Sequence, residues 1–244
     1  MDNFKIIYRF CDKNPNTHYK NVTKYNTISN FIDVFGDGFT NVDYTSIKLE
    51  LNMLTQDYIN LQIKNSEWSY NNKWGDQMED AIINWFSKSI TDKNANILDI
   101  GCGEGRGLSA LIQNGFINTV GVDIAKDKLF AGRLKGLNLR YCDIHDLNIF
   151  KENEFDYMFC SHTLEHMLDL KTALKSIMRV GKILYYIIPI HERKEYAHYF
   201  NASHTSMINR PEEFLTILDS LGFHHEHFTK TRLSDELWGI VTKL

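Results

Sequence analysis

The sequence predicts an α/β protein: a doubly wound, seven-stranded, mostly parallel sheet with an antiparallel closing strand, preceded by an N-terminal extension. From residue 96 onwards, strand-like and helix-like patterns alternate, which is typical of a parallel sheet with helices on both faces. Residues 183–190, ILYYIIPI, are almost continuously apolar, as expected for a strand buried on both sides. Residues 97–107, ILDIGCGEGRG, combine a short strand with a glycine-rich turn that leads into a helix.

The first 75 residues differ from the rest because they are rich in Asn, Tyr and Thr. We predict a short strand over residues 5–10, a short helix over residues 28–35, and either a helix or a strand within residues 47–61. We therefore divide the chain into an extension or cap, residues 1–75, which could contact a substrate, and a main domain, residues 76–244.

The main domain opens with a helix that we expect Asp76 to cap and that runs through Ser87. The strands that follow are predicted at residues 97–100, 119–122, 139–142, 155–160, 183–188, 223–229 and 236–242. Further helices are predicted at residues 106–114, 126–134, 168–178 and 211–222. In such a sheet, ligands bind beyond the carboxyl ends of the strands.

The composition limits the function classes that fit. The chain has 244 residues and a net charge of −4, which argues against a broad nucleic-acid-binding surface. No signal peptide is recognisable, and the longest apolar run, residues 183–190, is too short to cross a bilayer. We therefore expect a cytoplasmic enzyme without membrane contact, and nothing in the composition indicates its oligomeric state. The cysteines expected to be reduced are Cys11, Cys102, Cys142 and Cys160.

The glycine-rich turn is the most informative motif. Its glycines stand at alternate positions, where a ligand can approach a backbone that has no Cβ atom in the way; they are Gly101, Gly103, Gly105 and Gly107. The dinucleotide fingerprint G-x-G-x-x-G is excluded because Arg106 occupies the third glycine position. Taken alone, the turn fits either a nucleotide-type ligand or a purely structural bend.

Two aspartates stand at the ends of the next two predicted strands. Asp123 could accept hydrogen bonds from a ribose diol, or it could be the N-cap of the following helix. Asp143 could accept a hydrogen bond from an adenine amino group, or it could serve in a turn. Each aspartate alone leaves both interpretations open.

Taken in chain order, these features and residues 155–166, FDYMFCSHTLEH, resemble the class I S-adenosylmethionine-dependent methyltransferases. The resemblance covers residues 76–244. It includes residues 179–189, RVGKILYYIIP, which are similar to the usual fifth strand, although the common second glycine before that strand is missing.

The resemblance implies S-adenosyl-L-methionine as the cofactor. Asp99 and the glycine-rich turn would hold its methionine part, Asp123 would bind its ribose, and Asp143 would contact its adenine. Ser161 would lie near the sulfonium end. The implied cofactor-binding residues are Asp99, Gly101, Cys102, Gly103, Gly105, Asp123, Ile124, Asp143, Ile144 and Ser161. Trp74 could close over the cofactor, or it could be a core aromatic residue.

Histidines after the fourth predicted strand are the candidate catalytic residues. His162, Glu165 and His166 have i, i+3, i+4 spacing, which would place them on one face of a helical turn. His162 or His166 could take the proton of an acceptor hydroxyl near neutral pH. His204, in the polar segment of residues 191–209, is a second choice. Each of these histidines also fits a packing or surface role.

No metal ion is expected. The spacing H-x-x-E-H also occurs in one class of zinc peptidases, but here it follows the fourth strand of a methyltransferase-like core. Some quinone-pathway O-methyltransferases that bind a divalent ion have an acidic residue where this chain has His162.

The acceptor is less well indicated than the cofactor. An Asn-Pro-Pro-Tyr motif, typical of amino-methylating DNA and protein enzymes, is absent, since the segment after the fourth strand reads Ser-His-Thr-Leu. We therefore expect O-methylation of a small hydroxylated molecule, and a sugar-like (carbohydrate) acceptor is compatible with the polar, aromatic segment of residues 191–209. One alternative is methylation of a protein or nucleic acid through residues 1–75. Another is a non-catalytic binding module, although a mere scaffold would not need three aspartates at strand ends.

Overall fold

The computed structural model describes residues 58–60, 62–63, 74–190, 204–206, 208–232 and 235–243. The chain divides into two units, Met1–Leu61 and Gln62–Leu244, and the sheet lies in the second. The predicted elements over residues 5–10 and 28–35, and most of residues 47–61, lie outside the described residues. The domain boundary at residue 75 stays a prediction.

Seven strands form one sheet. They are β1 Ile97–Ile100, β2 Thr119–Asp123, β3 Leu139–Tyr141, β4 Phe155–Ser161, β5 Gly181–Pro189, β6 Phe223–Thr231 and β7 Asp235–Lys243. Their order across the sheet is β3-β2-β1-β4-β5-β7-β6. Only β7 runs antiparallel to its neighbours, since it pairs in that sense with both β5 and β6. The predicted mostly parallel sheet with an antiparallel closing strand is confirmed.

The helices flank this sheet. They are α1 Trp74–Ala81, α2 Arg106–Gln113, α3 Lys126–Leu134, α4 Leu170–Val180 and α5 Pro211–Ser220. The first continues through a π-helical segment, Ile82–Phe86, into a last turn, Ser87–Ser89. A single 3₁₀ turn, Leu164–His166, follows β4. None of the helices in the described part of the chain has the length and hydrophobicity that a membrane crossing requires.

Two predicted helix starts are wrong by two residues. α1 begins at Trp74, so Asp76 lies in its first turn instead of capping it, and its carboxylate pairs with Arg106 of α2 at 2.9 Å. α4 begins at Leu170 because Asp169 is its N-cap and accepts hydrogen bonds from two backbone N–H groups, those of Lys171 and Thr172.

Buried apolar residues cover both faces of the sheet. One layer includes Leu174, Ile177 and Phe214 of α4 and α5, and the other includes Phe86 and Leu111 of the first two helices. All of β1 is buried, as is β5 from its fourth residue onwards. Among the described residues, Cys102, Cys142 and Cys160 are free and buried, as predicted, and Cys11 lies outside them. The packed faces leave the carboxyl edge of the sheet as the place for chemistry.

Candidate active site

The glycine-rich turn joins β1 to α2 at the carboxyl edge of the sheet. Gly101, Gly103 and Gly105 have φ angles of 73°, 52° and 81°, in the left-handed region that glycine enters without a Cβ clash. A Cβ atom on Gly101 would lie 2.2 Å from Oγ1 of Thr163. The turn therefore packs directly against the residues that follow β4, and Cys102 within it is buried.

Asp99 is a buried carboxyl at the end of β1. Its side chain faces the start of α2, where a Cβ atom on Gly107 would lie 2.5 Å from Oδ2. Within the described part of the chain, Oδ2 has no hydrogen-bond partner. Burial, assisted by the negative charge of Asp123, raises the pKa of Asp99 to about 7. A positively charged ligand group beside Asp99 would relieve this unfavourable burial.

We expect Asp99→Asn to stabilise the ligand-free protein, and to do so more at high pH than at low pH. The folded protein keeps the Asp99 proton up to a pH of about 7, whereas the unfolded chain releases it near 3.8. Between these values the folded state binds more protons than the unfolded state, so stability falls as pH rises through that window. Above it, the amide should raise the free energy of unfolding by about 2–4 kcal/mol.

Urea denaturation of both proteins at about pH 5 and about pH 8 measures this difference. A stability difference that is the same at both pH values would contradict the assignment of the shifted pKa to Asp99.

Asp123 connects the glycine-rich turn to the end of β2. Its Oδ2 accepts a hydrogen bond from the N–H of Gly103, and its Oδ1 accepts one from the N–H of Ala125, both at 2.8 Å. The helix that follows has Ala125 as its N-cap, so the alternative in which Asp123 caps that helix is wrong. Each carboxylate oxygen has a second lone pair that a ribose hydroxyl could use. Ile124, the next residue, is partly exposed.

Asp143 takes part in a turn after β3. Its Oδ1 accepts a hydrogen bond from the N–H of His145 at 2.9 Å and lies 2.7 Å from Nδ1 of the same histidine. Burial alone would raise the pKa of Asp143, but the hydrogen bonds and charge of His145 lower it below its usual value. The turn interpretation is therefore supported, and the adenine contact stays a prediction. Ile144 packs into the core at 5% exposure, and its predicted cofactor contact also remains a prediction.

The residues after β4 form a second part of the site. Ser161 ends the strand, and its Oγ is buried without a hydrogen-bond partner among the described residues. His162 has a φ of 50°, a left-handed conformation that is strained for this residue type. The predicted single helical face for His162, Glu165 and His166 is wrong, because His162 precedes the 3₁₀ turn that holds the other two.

Glu165 nevertheless lies between the two histidines. Its Oε1 is 3.7 Å from Nδ1 of His162 and 3.9 Å from Nε2 of His166. The side chain of Glu165 is 1% exposed, and its Oε2 has no hydrogen-bond partner in the part of the chain that is described. The turn thus places a buried carboxylate beside two partly exposed imidazoles.

His204 joins this group through contacts of the two residues that follow it. The hydroxyl of Thr205 donates to the carbonyl of His166 at 2.8 Å, and the N–H of Ser206 donates to the carbonyl of Glu165 at 2.8 Å. As a result, the His204 ring lies edge-on to the His166 ring, with centroids 4.7 Å apart. The structure therefore brings all three candidate histidines to one end of β4.

One subset of this group could hold a cation. Ligand atoms of Glu165, His166 and His204 lie within 4.8 Å of one another. The absence of a metal ion, expected from the sequence, stays a prediction.

Sequence reasoning missed two charged residues that contact His162. Glu236, near the start of β7, is fully buried, and its Oε1 lies 3.0 Å from Nε2 of His162. Arg232, in the β6–β7 turn, pairs with Glu236 at 2.8 Å. Neither residue belongs to a recognisable motif. The only signal is a carboxylate placed next to the apolar residues of a strand that the pattern predicts to be buried.

Together, the doubly wound sheet, the glycine-rich turn and the strand-end carboxylates define a Rossmann-like domain with a candidate site for a nucleotide-type ligand. The chain has the class I S-adenosylmethionine-dependent methyltransferase fold, and residues 98–183 match the methyltransferase domain family. A SAM-dependent methyltransferase from Archaeoglobus fulgidus has a similar structure, with a TM-score of 0.58 at 19% identity, over 69% of this chain and 94% of that one.

Curated relatives match the same region. A ubiquinone biosynthesis O-methyltransferase from Pseudomonas fluorescens is 28% identical over 106 residues, which are 41% of this chain and 45% of the relative. The bifunctional methionine biosynthesis protein MetXA/MetW from Rhodopirellula baltica is 29% identical over 115 residues, 42% of this chain and 18% of the relative. The chain thus spans less than half the length of either relative.

The fold class implies S-adenosyl-L-methionine as the cofactor, and the residues present fit it. The unpaired Oδ2 of Asp99 belongs to a buried carboxyl group, and the positively charged methionine part would favour its ionised form. The carboxylate of Asp123 is already held in place by backbone N–H groups and can still accept from a diol. The side chain of Trp74 lies outside the described residues, so its predicted closure over the cofactor stays a prediction.

Proposed function

We propose that this protein transfers the methyl group of S-adenosyl-L-methionine to a hydroxyl group of a small molecule, with His162 as the general base. The observation that carries this proposal is the position of His162 after the end of β4, in a strained conformation, next to Thr163, which packs against Gly101 of the glycine-rich turn. The ubiquinone biosynthesis O-methyltransferase among the relatives supports oxygen as the acceptor atom.

One group of residues binds the methyl donor, and a second group, after β4, acts on the acceptor. When bound, S-adenosyl-L-methionine supplies a methyl group on a sulfonium, which is already a strong electrophile. The glycine turn, Asp99 and Asp123 hold and orient the donor, and alignment of this kind contributes about 7–11 kcal/mol in favourable cases. His162 takes the proton of the acceptor hydroxyl, and the rings of His166 and His204 lie against each other at the same end of β4.

For the acceptor, we propose a small hydroxylated molecule of the sugar type, reached in the cytoplasm. The polar and aromatic composition of residues 191–209 supports this choice, although most of that segment lies outside the described residues. Methylation of a protein or nucleic acid remains the second candidate, because residues 1–75 are long enough to form a recognition element.

Transfer of a tritium-labelled methyl group into a cell extract tests this proposal. With the full chain added, we expect label to enter the small-molecule fraction. Label confined to the macromolecular fraction would favour the second candidate. An absence of transfer into both fractions, with binding of S-adenosylhomocysteine retained, would favour a non-catalytic binding module.

A further inference from the structure

A buried charge cluster connects β7 to His162. The Oε1 atom of Glu236 lies 3.0 Å from Nε2 of His162 and accepts a hydrogen bond from Nη2 of Arg232 at 3.2 Å. The Oε2 atom accepts from Nε of Arg232 and from Nε1 of Trp238, both at 2.8 Å. Arg232 is itself held by the backbone carbonyl of Gln77, at 2.7 Å from Nη1. Each oxygen of this carboxylate thus has two partners, which equals the number of its lone pairs.

This carboxylate remains ionised well below neutral pH. Burial alone would raise the pKa of Glu236, but the hydrogen bonds and charges of His162 and Arg232 lower it to about 2. Because Arg232 contacts both oxygens, its positive charge offsets that of the carboxylate. Glu236 therefore acts on His162 mainly as a fixed hydrogen-bond acceptor, since Arg232 compensates its negative charge.

A fixed acceptor at Nε2 determines where the neutral imidazole carries its proton. Nε2 must be the N–H atom, because a carboxylate without a proton can only accept. Nδ1 is then the basic atom, on the side of the ring that faces Glu165. The backbone of His162 is held as well, since its N–H donates to the carbonyl of Ile187 at 2.9 Å. Within the described residues, the ring lies beside Glu165 of the 3₁₀ turn and Glu236 of β7, and Arg232 pairs with Glu236.

We propose that Glu236, supported by Arg232 and Trp238, is a positioning residue that fixes the Nε2–H tautomer of His162 and thereby makes Nδ1 the proton acceptor. The inference rests on the proposed role of His162 as the base. In the reaction, the hydroxyl proton passes to Nδ1, the bond that forms joins the acceptor oxygen to the methyl carbon, and the bond that breaks joins that carbon to sulfur. The imidazolium then has both of its N–H groups directed toward carboxylates.

The tautomer can be measured without any acceptor. In protein carrying ¹⁵N-labelled histidine, with the His162 signals assigned by their loss in His162→Asn, we expect the ¹⁵N shifts of a neutral ring protonated at Nε2. A ring protonated at Nδ1 alone, or at both nitrogens near neutral pH, would overturn the proposal. This outcome does not depend on whether the protein methylates anything.

Glu236→Gln then tests the consequence for catalysis. The amide nearly preserves the volume but cannot satisfy Arg232 and the ring together, so we expect a mixture of tautomers. We expect kcat to fall by at least about 100-fold, as when the carboxylate behind a catalytic histidine is replaced by its amide. KM for the cofactor should stay within about twofold, since Glu236 acts through the ring and not through cofactor binding.

Two further variants complete the test. Glu226→Gln, on the exposed strand β6, makes the same chemical change outside the cluster and should leave kcat unchanged. Arg232→Lys keeps the positive charge but loses the paired donors, so it should also give a mixture of His162 tautomers. This variant replaces Glu236→Gln in the test if Glu236→Gln does not fold. Wild-type kcat in folded Glu236→Gln would overturn the proposal. Wild-type activity in His162→Asn, with the expected tautomer observed, would overturn the proposed base instead.

Discussion

Replacing Asp123 with alanine is expected to weaken the binding of S-adenosylhomocysteine by about 100-fold. Two losses combine. The carboxylate that would accept from the ribose hydroxyls disappears, and hydrogen bonds to a charged acceptor contribute about 1.5–3 kcal/mol each. The N–H groups of Gly103 and Ala125 also lose the acceptor that holds the glycine-rich turn against β2. Isothermal titration of the ligand-free protein measures the affinity directly.

Asp127→Ala is the matched control for this variant. Asp127 lies four residues further along the chain, is exposed in the first turn of α3, and loses the same charge when replaced. The affinity of Asp127→Ala for S-adenosylhomocysteine should equal that of the wild type. The affinity of Asp123→Asn should lie between those of the wild type and Asp123→Ala. In the wild type, S-adenosylhomocysteine should raise the melting temperature and NAD should not. An unchanged affinity in Asp123→Ala would refute the ribose assignment, and stabilisation by NAD alone would refute the cofactor.

The second large effect is expected for His162→Asn, which should lower kcat by about 10²–10⁴-fold. Asparagine is chosen because it tolerates the left-handed backbone that His162 adopts at a φ of 50°. The variant therefore removes the imidazole without adding backbone strain. Transfer of a tritiated methyl group, measured on protein dialysed against EDTA, gives the rate without a contribution from bound metal. Affinity for S-adenosylhomocysteine should remain within about twofold of the wild type, because the ring is assigned to the acceptor.

His224→Ala provides the control for the loss of a histidine. His224 lies on the exposed strand β6, and its replacement should leave kcat unchanged. If His162→Asn retains wild-type kcat while His166→Ala or His204→Ala loses it, the base is the histidine whose replacement lowers kcat. If EDTA abolishes wild-type transfer and a divalent ion restores it, the expectation that no metal is needed is wrong.

Most of the sheet could be predicted because local patterns decide it. The strand 97–100 and the helix over residues 126–134 were predicted at the positions where the structure has them, since continuous apolar runs and helical periodicity need no distant contacts to be recognised. The sequence does not predict the start of α1 correctly. Asp76 is a residue type that favours the N-cap position, but its side chain pairs instead with Arg106, 30 residues away. A long-range ion pair of this kind leaves no local pattern.

The candidate site divides in the same way. Asp99, Asp123 and the glycines could be found from the sequence because parallel strands bring their carboxyl ends to one edge. The contact between His162 and Glu236 could not be predicted from the sequence, since 74 residues separate them. It depends on β7 lying antiparallel beside β5, with Glu236 opposite Pro189. The contact of His204 with His166 likewise depends on hydrogen bonds made by Thr205 and Ser206 to the 3₁₀ turn.

By itself, the sequence determined the fold class, the glycine-rich turn and the two aspartates that face it, because strand periodicity and glycine conformation act over a few residues. Only the tertiary structure decided which histidine is held by a buried carboxylate, and through which ring nitrogen. The pairing of strands distant in sequence places Glu236, Arg232 and Trp238 around one acceptor group. Burial of that group makes its hydrogen bonds obligatory, and this requirement fixes the ring of His162.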